Sequence, residues 1–222
     1  MNAAVIQLLV LAGVAIFLIL RLRSVLGTRE GFEKPPAPMP GSSPSRDGKR
    51  RDFEVIEGGI DRDIADNVPE GSDAADALAR MKRVEPSFSV TEFLQGAKGA
   101  YEMILMAFER GEMDSVVPFV GEDVFESFQQ VVDMRTENGV IVDASFIGVR
   151  ETTLKDATFD ETSGEAEITV RFVGELTSVV RDSAGEIVEG DPNTIKKQRD
   201  VWTFAREMGV GDPNWKLVAT GE

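Results

Sequence analysis

The sequence contains no cysteine and no histidine among its 222 residues. Without cysteine it has no disulfide, no thiolate zinc site and no cysteine nucleophile. Without histidine it has no Ser-His-Asp triad and no imidazole metal ligand, so we expect neither a metal nor a cofactor. Basic residues are also scarce: 24 Lys and Arg stand against 39 Asp and Glu, a formal net charge of −15. Nucleic acid requires a basic footprint, so it is not expected as a partner.

The longest apolar run covers residues 3–20 and contains no charged side chain. About 17–20 apolar residues suffice to cross a bilayer. Arg21 and Arg23 follow at once and no small-residue cleavage pattern is present, which favours an uncleaved anchor over a secretory signal. The positive-inside rule places these arginines in the cytoplasm. We therefore predict a single-pass anchor over residues 1–26, with the N-terminus outside and the rest cytoplasmic; a periplasmic domain is the alternative.

Residues 27–71 are rich in proline, glycine, serine and charge, which predicts a disordered linker. Lys49, Arg50 and Arg51 form a basic cluster within it. Such a cluster is most simply a solubilising spacer, although basic side chains near a bilayer also attract anionic lipid.

Residues 72–86 have the pattern of a short amphipathic helix with Ser72 as its N-cap. Leu78 and Met81 form its thin apolar stripe. Three cations lie near its end, namely Arg80, Lys82 and Arg83. They either complement the helix dipole, the simpler interpretation, or meet a membrane surface.

The remaining residues, 87–222, predict one α+β domain with helices on one face of a curved antiparallel sheet. A capping box at Ser89 and a glycine stop at Gly111 bound a long helix, and a second helix covers residues 122–138. After Gly139 the apolar period becomes two, which predicts strands over residues 140–159, 165–176, 195–207 and 215–220. Gly174 within the second strand indicates a bulge or a bend.

Three segments in order resemble the Tim44-like family, named for the peripheral matrix-side subunit of the mitochondrial presequence translocase and including alphaproteobacterial relatives. They are FLQGAKGAYEMILMAFERGEMDSVVPFVGEDVFESF, DVWTFAREM and PNWKLVAT, at residues 93–128, 200–208 and 213–220. The resemblance implies a cone similar to nuclear transport factor two, in which helices and a curved sheet surround an apolar pocket. It also implies a bacterial inner-membrane location and partners among translocase or chaperone components.

Two features depart from the mitochondrial pattern. Residues 34–69 are too short and too polar to carry its N-terminal chaperone-binding region, and the predicted anchor is additional. What the resemblance implies more directly is membrane association through the segment before the domain, here residues 72–86.

Three functions remain open on this basis. The first is a non-enzymatic adaptor that binds a protein partner or lipid at the inner membrane. The second is a sensor that holds a hydrophobic ligand, and its pocket would be lined by Phe93, Leu94, Ala97, Tyr101, Phe125, Phe128, Phe172 and Trp202, with Phe128 facing Trp202. Ordinary core packing is the simpler interpretation of most of these residues. The third is an isomerase or dehydratase, for which the candidate groups are Tyr101, Asp143 and Asp200; Tyr101 is more typical of a core position.

Overall fold

The structure is a computed structural model, and it describes residues 61–221. The predicted anchor and most of the predicted linker lie outside the described residues, as do Arg21, Arg23, Lys49, Arg50 and Arg51. Within residues 61–221, no helix is both long and apolar enough to cross a membrane.

Four α-helices and one 3₁₀ helix come first along the described chain. They are α1 (Arg62–Ala65), α2 (Asp73–Val84), α3 (Val90–Arg110), the 3₁₀ helix (Met113–Phe119) and α4 (Glu122–Glu137). The caps predicted from the sequence are present: Ser72 Oγ accepts from the amide of Ala75, and Ser89 Oγ accepts from that of Glu92. Gly111 ends α3 with φ of 74°, a conformation that glycine adopts without a Cβ penalty.

Five strands follow and form one antiparallel sheet. They are β1 (Ile141–Phe159), β2 (Glu165–Arg181), β3 (Ile187–Gly190), β4 (Lys196–Glu207) and β5 (Lys216–Gly221). The strand order is β1-β2-β4-β5, and β3 pairs with the far end of β2. The four long strands agree with the predicted ones. No sequence pattern predicts β3, because all four of its residues are exposed and show no alternation.

The irregularity in the sheet near Gly174 lies in the neighbouring strand β1, since β2 itself passes through Gly174 in continuous register with β4. The register of β1 against β2 shifts between Val149 and Glu151, and Val149 pairs with Gly174. Arg150 is therefore the extra residue of a bulge in β1. Bulges bend a sheet locally and increase its twist.

The helices and the inner face of the sheet share one hydrophobic core, and that core extends further towards the N-terminus than residue 87. Leu78 and Met81 of α2 are fully buried in it, and Ile64 and Val68 belong to the same cluster. Residues 61–71, predicted as linker, thus contain a helical turn that packs on the domain. A single turn is too short to show an apolar period, so the sequence pattern does not reveal it.

Candidate functional site

Five of the eight residues predicted to line a pocket are buried between α3 and the sheet: Phe93, Ala97, Tyr101, Phe172 and Trp202. The ring of Tyr101 stacks on that of Phe172 with centroids 4.5 Å apart and lies 4.8 Å from Trp202. Rings at these separations are in contact, so the side chains themselves occupy this part of the interior.

The other three, Leu94, Phe125 and Phe128, are partly buried at the margin of the core. The ring of Phe128 lies 4.8 Å from that of Phe108. The pairing of Phe128 with Trp202 expected from the sequence is not among the ring contacts of the described residues. The reason is that α4 packs against β5, the 3₁₀ helix and α3, whereas α3 itself covers Trp202 through Tyr101.

A hydrogen bond joins two of the residues considered for catalysis. Tyr101 Oη donates to Asp200 Oδ2 at 2.6 Å, and Gln198 Nε2 donates to Asp200 Oδ1 at 3.2 Å. Burial raises the pKa of Tyr101 well above its ordinary value, and the hydrogen bond to Asp200 and its charge raise it further. The phenol is thus held protonated as a donor.

Asp143, the third candidate, lies away from this pair. It is exposed on β1 and pairs with Val179, whereas Asp200 pairs with Phe172. Paired residues on neighbouring strands point to the same face, and residues an odd number of positions apart on one strand point to opposite faces. Val179 and Phe172 are an odd number of positions apart on β2, so Asp143 and Asp200 lie on opposite faces of the sheet. The three groups do not form one acid–base site.

A first groove, which we call the strand-end groove, has a volume of about 590 Å³. It is lined by Glu109 of α3, Leu176 and Ser178 of β2, and the first five residues of β4, Lys196, Lys197, Gln198, Arg199 and Asp200. Burial raises the pKa of Glu109, and the charges of Arg135 and Lys196 oppose that shift without cancelling it. Charges of both signs on its walls suit a polar ligand better than an acyl chain.

A second groove, the helix groove, lies between the 3₁₀ helix and α4 and has a volume of about 510 Å³. Its lining residues are Gly111, Glu112, Met113, Asp114, Ser115, Phe125 and Gln129. The exposed face of α4 beside it is strongly acidic and carries Glu122, Asp123, Glu126, Asp133 and Glu137. An apolar floor with an acidic rim favours a partner that presents a basic segment.

Two of the basic residues of α2 form ion pairs within the domain. Lys82 Nζ lies 2.7 Å from Asp63 Oδ2 and 2.9 Å from Asp61 Oδ2, and Arg80 lies 3.8 Å from Glu161. Arg83 is exposed. Because the apolar side of α2 faces the core, membrane contact through that side would require the helix to leave the domain. Membrane contact by Arg80, Lys82 and Arg83 stays a prediction.

Asp63 connects three helices through one carboxylate. Besides Lys82, it accepts hydrogen bonds from the amides of Val90 at 2.7 Å and Thr91 at 2.8 Å, at the start of α3. Burial alone would raise its pKa, but the hydrogen bonds from Lys82, Thr91 and Val90 outweigh burial and hold the pKa well below its ordinary value. The sequence offered no signal for this site, since its partners are up to 28 positions away.

A basic run lies at the start of β4, in a segment for which the sequence pattern predicts only a strand. Lys196, Lys197 and Arg199 are exposed and take part in none of the ion pairs found within residues 61–221. This basic run is readable in the sequence itself as KKQR within an otherwise acidic domain. Over the same residues, no group of three or more Asp or Glu side chains is arranged to hold a metal ion.

Helices on one face of a curved antiparallel sheet, with a closely packed core between them, define an α+β domain. A family model described as the Tim44-like domain matches residues 74–222. The chain belongs to the Tim44-like domain family.

Its curated relatives are subunits of a mitochondrial translocase. The human mitochondrial import inner membrane translocase subunit TIM44 is 24% identical over 150 residues, which are 66% of this chain and 33% of the human protein. The Arabidopsis thaliana subunit TIM44-1 is 22% identical over 163 residues, 70% of this chain and 34% of that protein. This chain therefore spans about a third of the length of these relatives.

Among solved structures, the intermembrane space region of the chloroplast protein ARC6 aligns with this chain. Its TM-score is 0.37 at 11% identity, and the alignment covers 57% of this chain and 93% of that one.

Proposed function

We propose that this chain is a non-enzymatic adaptor, attached to a bacterial inner membrane, that holds a protein partner there in a process linked to protein translocation or membrane-protein assembly. The observation that carries the proposal is the Tim44-like domain over residues 74–222, whose relatives are named as subunits of an inner-membrane translocase. Translocase or chaperone components are the partners to test first. The cone-shaped architecture that the family resemblance implies is part of the same proposal.

The attachment that we propose is the single-pass anchor of residues 1–26, with the domain in the cytoplasm. Its basis is the uncharged run over residues 3–20 followed by Arg21 and Arg23. A reporter fused after Glu222 should be active only in its cytoplasmic form. A signal from a periplasm-specific reporter alone would reverse this topology and change the set of partners.

For the partner we propose the helix groove. Met113 is buried in the floor of the groove, and half-buried Phe125 offers apolar surface to a partner. Exposed Glu112 and Asp114 supply negative charge at the rim. Charge complementarity mainly accelerates and orients association, and apolar contact at the centre contributes most of the affinity.

A hydrophobic-ligand or lipid sensor is the second candidate. The observation in its favour is that Leu94, Phe125 and Phe128 are only partly buried, and Phe125 also lines the helix groove. An apolar ligand could therefore reach the margin of the core at α4. Tyr101, Phe172 and Trp202 pack closely on one another, so the side chains themselves occupy the interior where the sensor would need a ligand pocket. The adaptor is therefore the better-supported proposal.

Site-specific photocrosslinking in native membranes tests the adaptor. A photoreactive residue at Gln129, in the helix groove, should yield a protein adduct of defined mass from the full-length chain. The same residue at exposed Thr158, on β1, serves as the control. Glu112→Lys with Asp114→Lys should abolish the Gln129 adduct. Adducts with lipid alone would favour the sensor, and equal protein adducts at both positions would count against a specific partner site.

A further inference from the structure

The two edges of the sheet differ in how well they could accept another strand. β1 forms one edge, and three register shifts against β2 interrupt it. Bulges twist an edge away from a straight neighbour, so this edge is a poor template. On the other edge, the segment before α4 covers β5: Val120 bridges Leu217, and the N–H of Gly121 donates to the Leu217 carbonyl oxygen at 2.7 Å. β5 itself ends before it reaches the start of β4.

The start of β4 has a strand on one side only. Residues 196–199 pair with β2 in unbroken register, whereas the last pair between β4 and β5 is Val201 with Gly221. No other strand of residues 61–221 lies on that side, and no turn, loop or cap hydrogen bond of their backbone involves residues 196–199. Successive residues of a strand direct their N–H and C=O groups to opposite edges, so two of these four residues offer both groups outward. We call residues 196–199 the open edge.

The strand-end groove runs along the open edge. Five consecutive residues of β4, 196–200, line it together with Glu109 of α3 and two residues of β2. Successive side chains of a strand point to opposite faces, so a groove lined by consecutive residues follows the strand and not one face of it. Its volume is about 590 Å³. Space beside an uncovered strand edge is the feature that strand addition by an extended peptide requires.

Three cations lie at the open edge. Lys196, Lys197 and Arg199 are exposed and take part in none of the ion pairs within residues 61–221. Lys197 and Arg199 alternate with Trp202, whose side chain lies under α3, so they point to the outer face of the sheet. Lys196 points to the groove side. A strand added here would therefore have cations beside it on both faces.

The carboxylates nearest to the open edge are engaged with other groups. Glu175, beside Lys197, accepts from Arg150 Nε at 2.7 Å, and Asp200 accepts from Tyr101 at 2.6 Å. The other carboxylates of the outer face lie on β1 or towards the far ends of β2 and β4, namely Asp143, Glu151, Asp156, Glu165, Glu167 and Glu207. The outer face as a whole carries both signs, but the side chains of the edge itself are basic there.

A second copy of the chain fits this edge poorly. Two copies paired through residues 196–199 would place Lys197 and Arg199 of one beside the same cations of the other. Like charges directly opposite one another destabilise a strand pair, and lysine on an edge is a common device against self-pairing. The same cations would stabilise a strand that presents carboxylates at those positions.

We propose that the open edge binds an extended, acidic segment of a partner protein as an additional strand of the sheet. Alternate side chains of that segment are carboxylates and lie beside Lys197 and Arg199 on the outer face. The side chains between them enter the strand-end groove, where Glu109 and Asp200 favour no further carboxylate. This site is separate from the helix groove and does not depend on the function proposed for it.

Displayed peptide libraries test this site on the full-length, detergent-solubilised chain. Each library contains peptides of about ten residues, the length of a long strand. One has Glu at alternate positions, the other has Lys there, and the residues between are random. An enriched peptide is then synthesised in three forms: unmodified, and N-methylated at either the odd or the even backbone amides. N-methylation removes the hydrogen-bond donors of one peptide edge and leaves the charge unchanged.

We expect enrichment from the Glu library only. One N-methylated form should bind more weakly by roughly tenfold or more, because it loses several backbone hydrogen bonds to β4. The other should bind nearly as well as the unmodified peptide, since only one peptide edge faces β4. Hydrogen exchange should show protection of alternate amides within residues 196–199 when the unmodified peptide is present.

Variants of the chain locate the binding site. Lys197→Glu with Arg199→Glu should remove most of the peptide affinity. Lys98→Glu with Lys155→Glu makes the same change in charge at two other exposed positions and should retain it. An unchanged thermal transition verifies that each variant is folded.

The helix groove is tested separately. Glu112→Lys with Asp114→Lys should also retain peptide binding, so that failure of the helix groove and failure of the open edge are distinguishable.

Three results would overturn the proposal: no enrichment of the Glu library over the Lys library, equal effects of the two N-methylations, or protection of amides only outside residues 196–199. An equal loss of affinity in the Lys98→Glu/Lys155→Glu control would show attraction by general charge and would also overturn it. If the peptide instead converts a dimer of the chain into a monomer, the occupant of the edge is a second copy and the assignment of an acidic partner is wrong.

Discussion

The ring of Tyr101 packs directly on the backbone of Gly174: a Cβ at position 174 would lie 2.8 Å from Tyr101 Oη and 3.0 Å from Cε1. This close approach lets the tyrosine stack on Phe172 and reach Asp200 on the neighbouring strand. The glycine in β2, the β1 bulge opposite it and the tyrosine of α3 are therefore parts of one arrangement.

Gly174→Ala should destabilise the domain by about 1–3 kcal/mol, because overpacking a filled core forces side chains or backbone to shift. The measurement is urea unfolding followed by tryptophan fluorescence. Gly96→Ala is the matched control: it lies in α3 with nothing within 4 Å of its Cβ, so it should stabilise the helix by about 0.5–1 kcal/mol. Equal effects of the two substitutions would mean that Tyr101 does not approach Gly174.

Tyr101→Phe should cost about 1–2 kcal/mol, since the carboxylate of Asp200 loses a donor at 2.6 Å. It also removes the atom nearest to position 174. The cost of Gly174→Ala should therefore be smaller in the Tyr101→Phe background, and a double-mutant cycle measures the coupling. Strict additivity of the two substitutions would contradict the contact.

Phe172→Ala should lower the free energy of unfolding more than Phe128→Ala, because Phe172 lies inside the filled core and Phe128 lies at its margin. Phe172 is fully buried and contacts Tyr101, Trp202 and Phe204, so its truncation should leave a cavity costing about 3–5 kcal/mol. Phe128 is only partly buried against Phe108, and its truncation should cost about 1–2 kcal/mol. Equal urea-unfolding losses would indicate that the two rings are equally enclosed. Reduced binding of acyl chains by Phe128→Ala would support the sensor.

Much of this fold follows from local signals in the sequence. The caps at Ser72 and Ser89, the glycine stop at Gly111 and the alternation along β2 all predict the elements found there. Long-range contacts are not encoded in such local patterns. The covering of Trp202 by Tyr101, the position of Phe128 beside Phe108, and the connection of Asp63 to α3 depend on pairings between distant segments. The basic run of β4 was visible, but only the sheet register shows which of its side chains leave the core.

Asp63→Asn should make the domain less stable at neutral pH by roughly 1–3 kcal/mol, because the carboxylate accepts from Lys82 and two amides. Folding lowers the pKa of Asp63. Its contribution is therefore complete above the pKa of an unfolded aspartate, about 4, and is lost as the pH falls through the lowered value. Urea unfolding between pH 7 and pH 3 should show the difference between wild type and variant shrinking as the solution becomes acidic.

Asp66→Asn is the control for that series, since Asp66 is exposed on the same segment. It should change stability little at any pH. A pH-independent loss in Asp63→Asn would mean that shape rather than charge matters at this position.

The point at which the folded unit begins can be tested by truncation. A fragment of residues 87–222 contains every strand and α3, and the sequence pattern alone predicts that it folds. The structure, however, places Leu78 and Met81 of α2 fully within the core, and Ile64 and Val68 against it. Removing residues 61–86 would expose the apolar surface that these side chains cover and would leave Arg206, 8% exposed, without its ion-pair partner Glu85 at 2.9 Å. An uncompensated buried charge is costly, typically about 3–5 kcal/mol, which is a large share of a domain's stability.

We therefore expect residues 61–222 to unfold in one cooperative thermal transition, and residues 87–222 to show a weak transition or none. Restoring α2 alone, with residues 72–222, should recover the Arg206–Glu85 pair and part of the stability, and Asp63, Ile64 and Val68 together should account for the remainder. A cooperative transition of residues 87–222 at the temperature of the longer fragment would show that α1 and α2 are attached to the domain without supporting it.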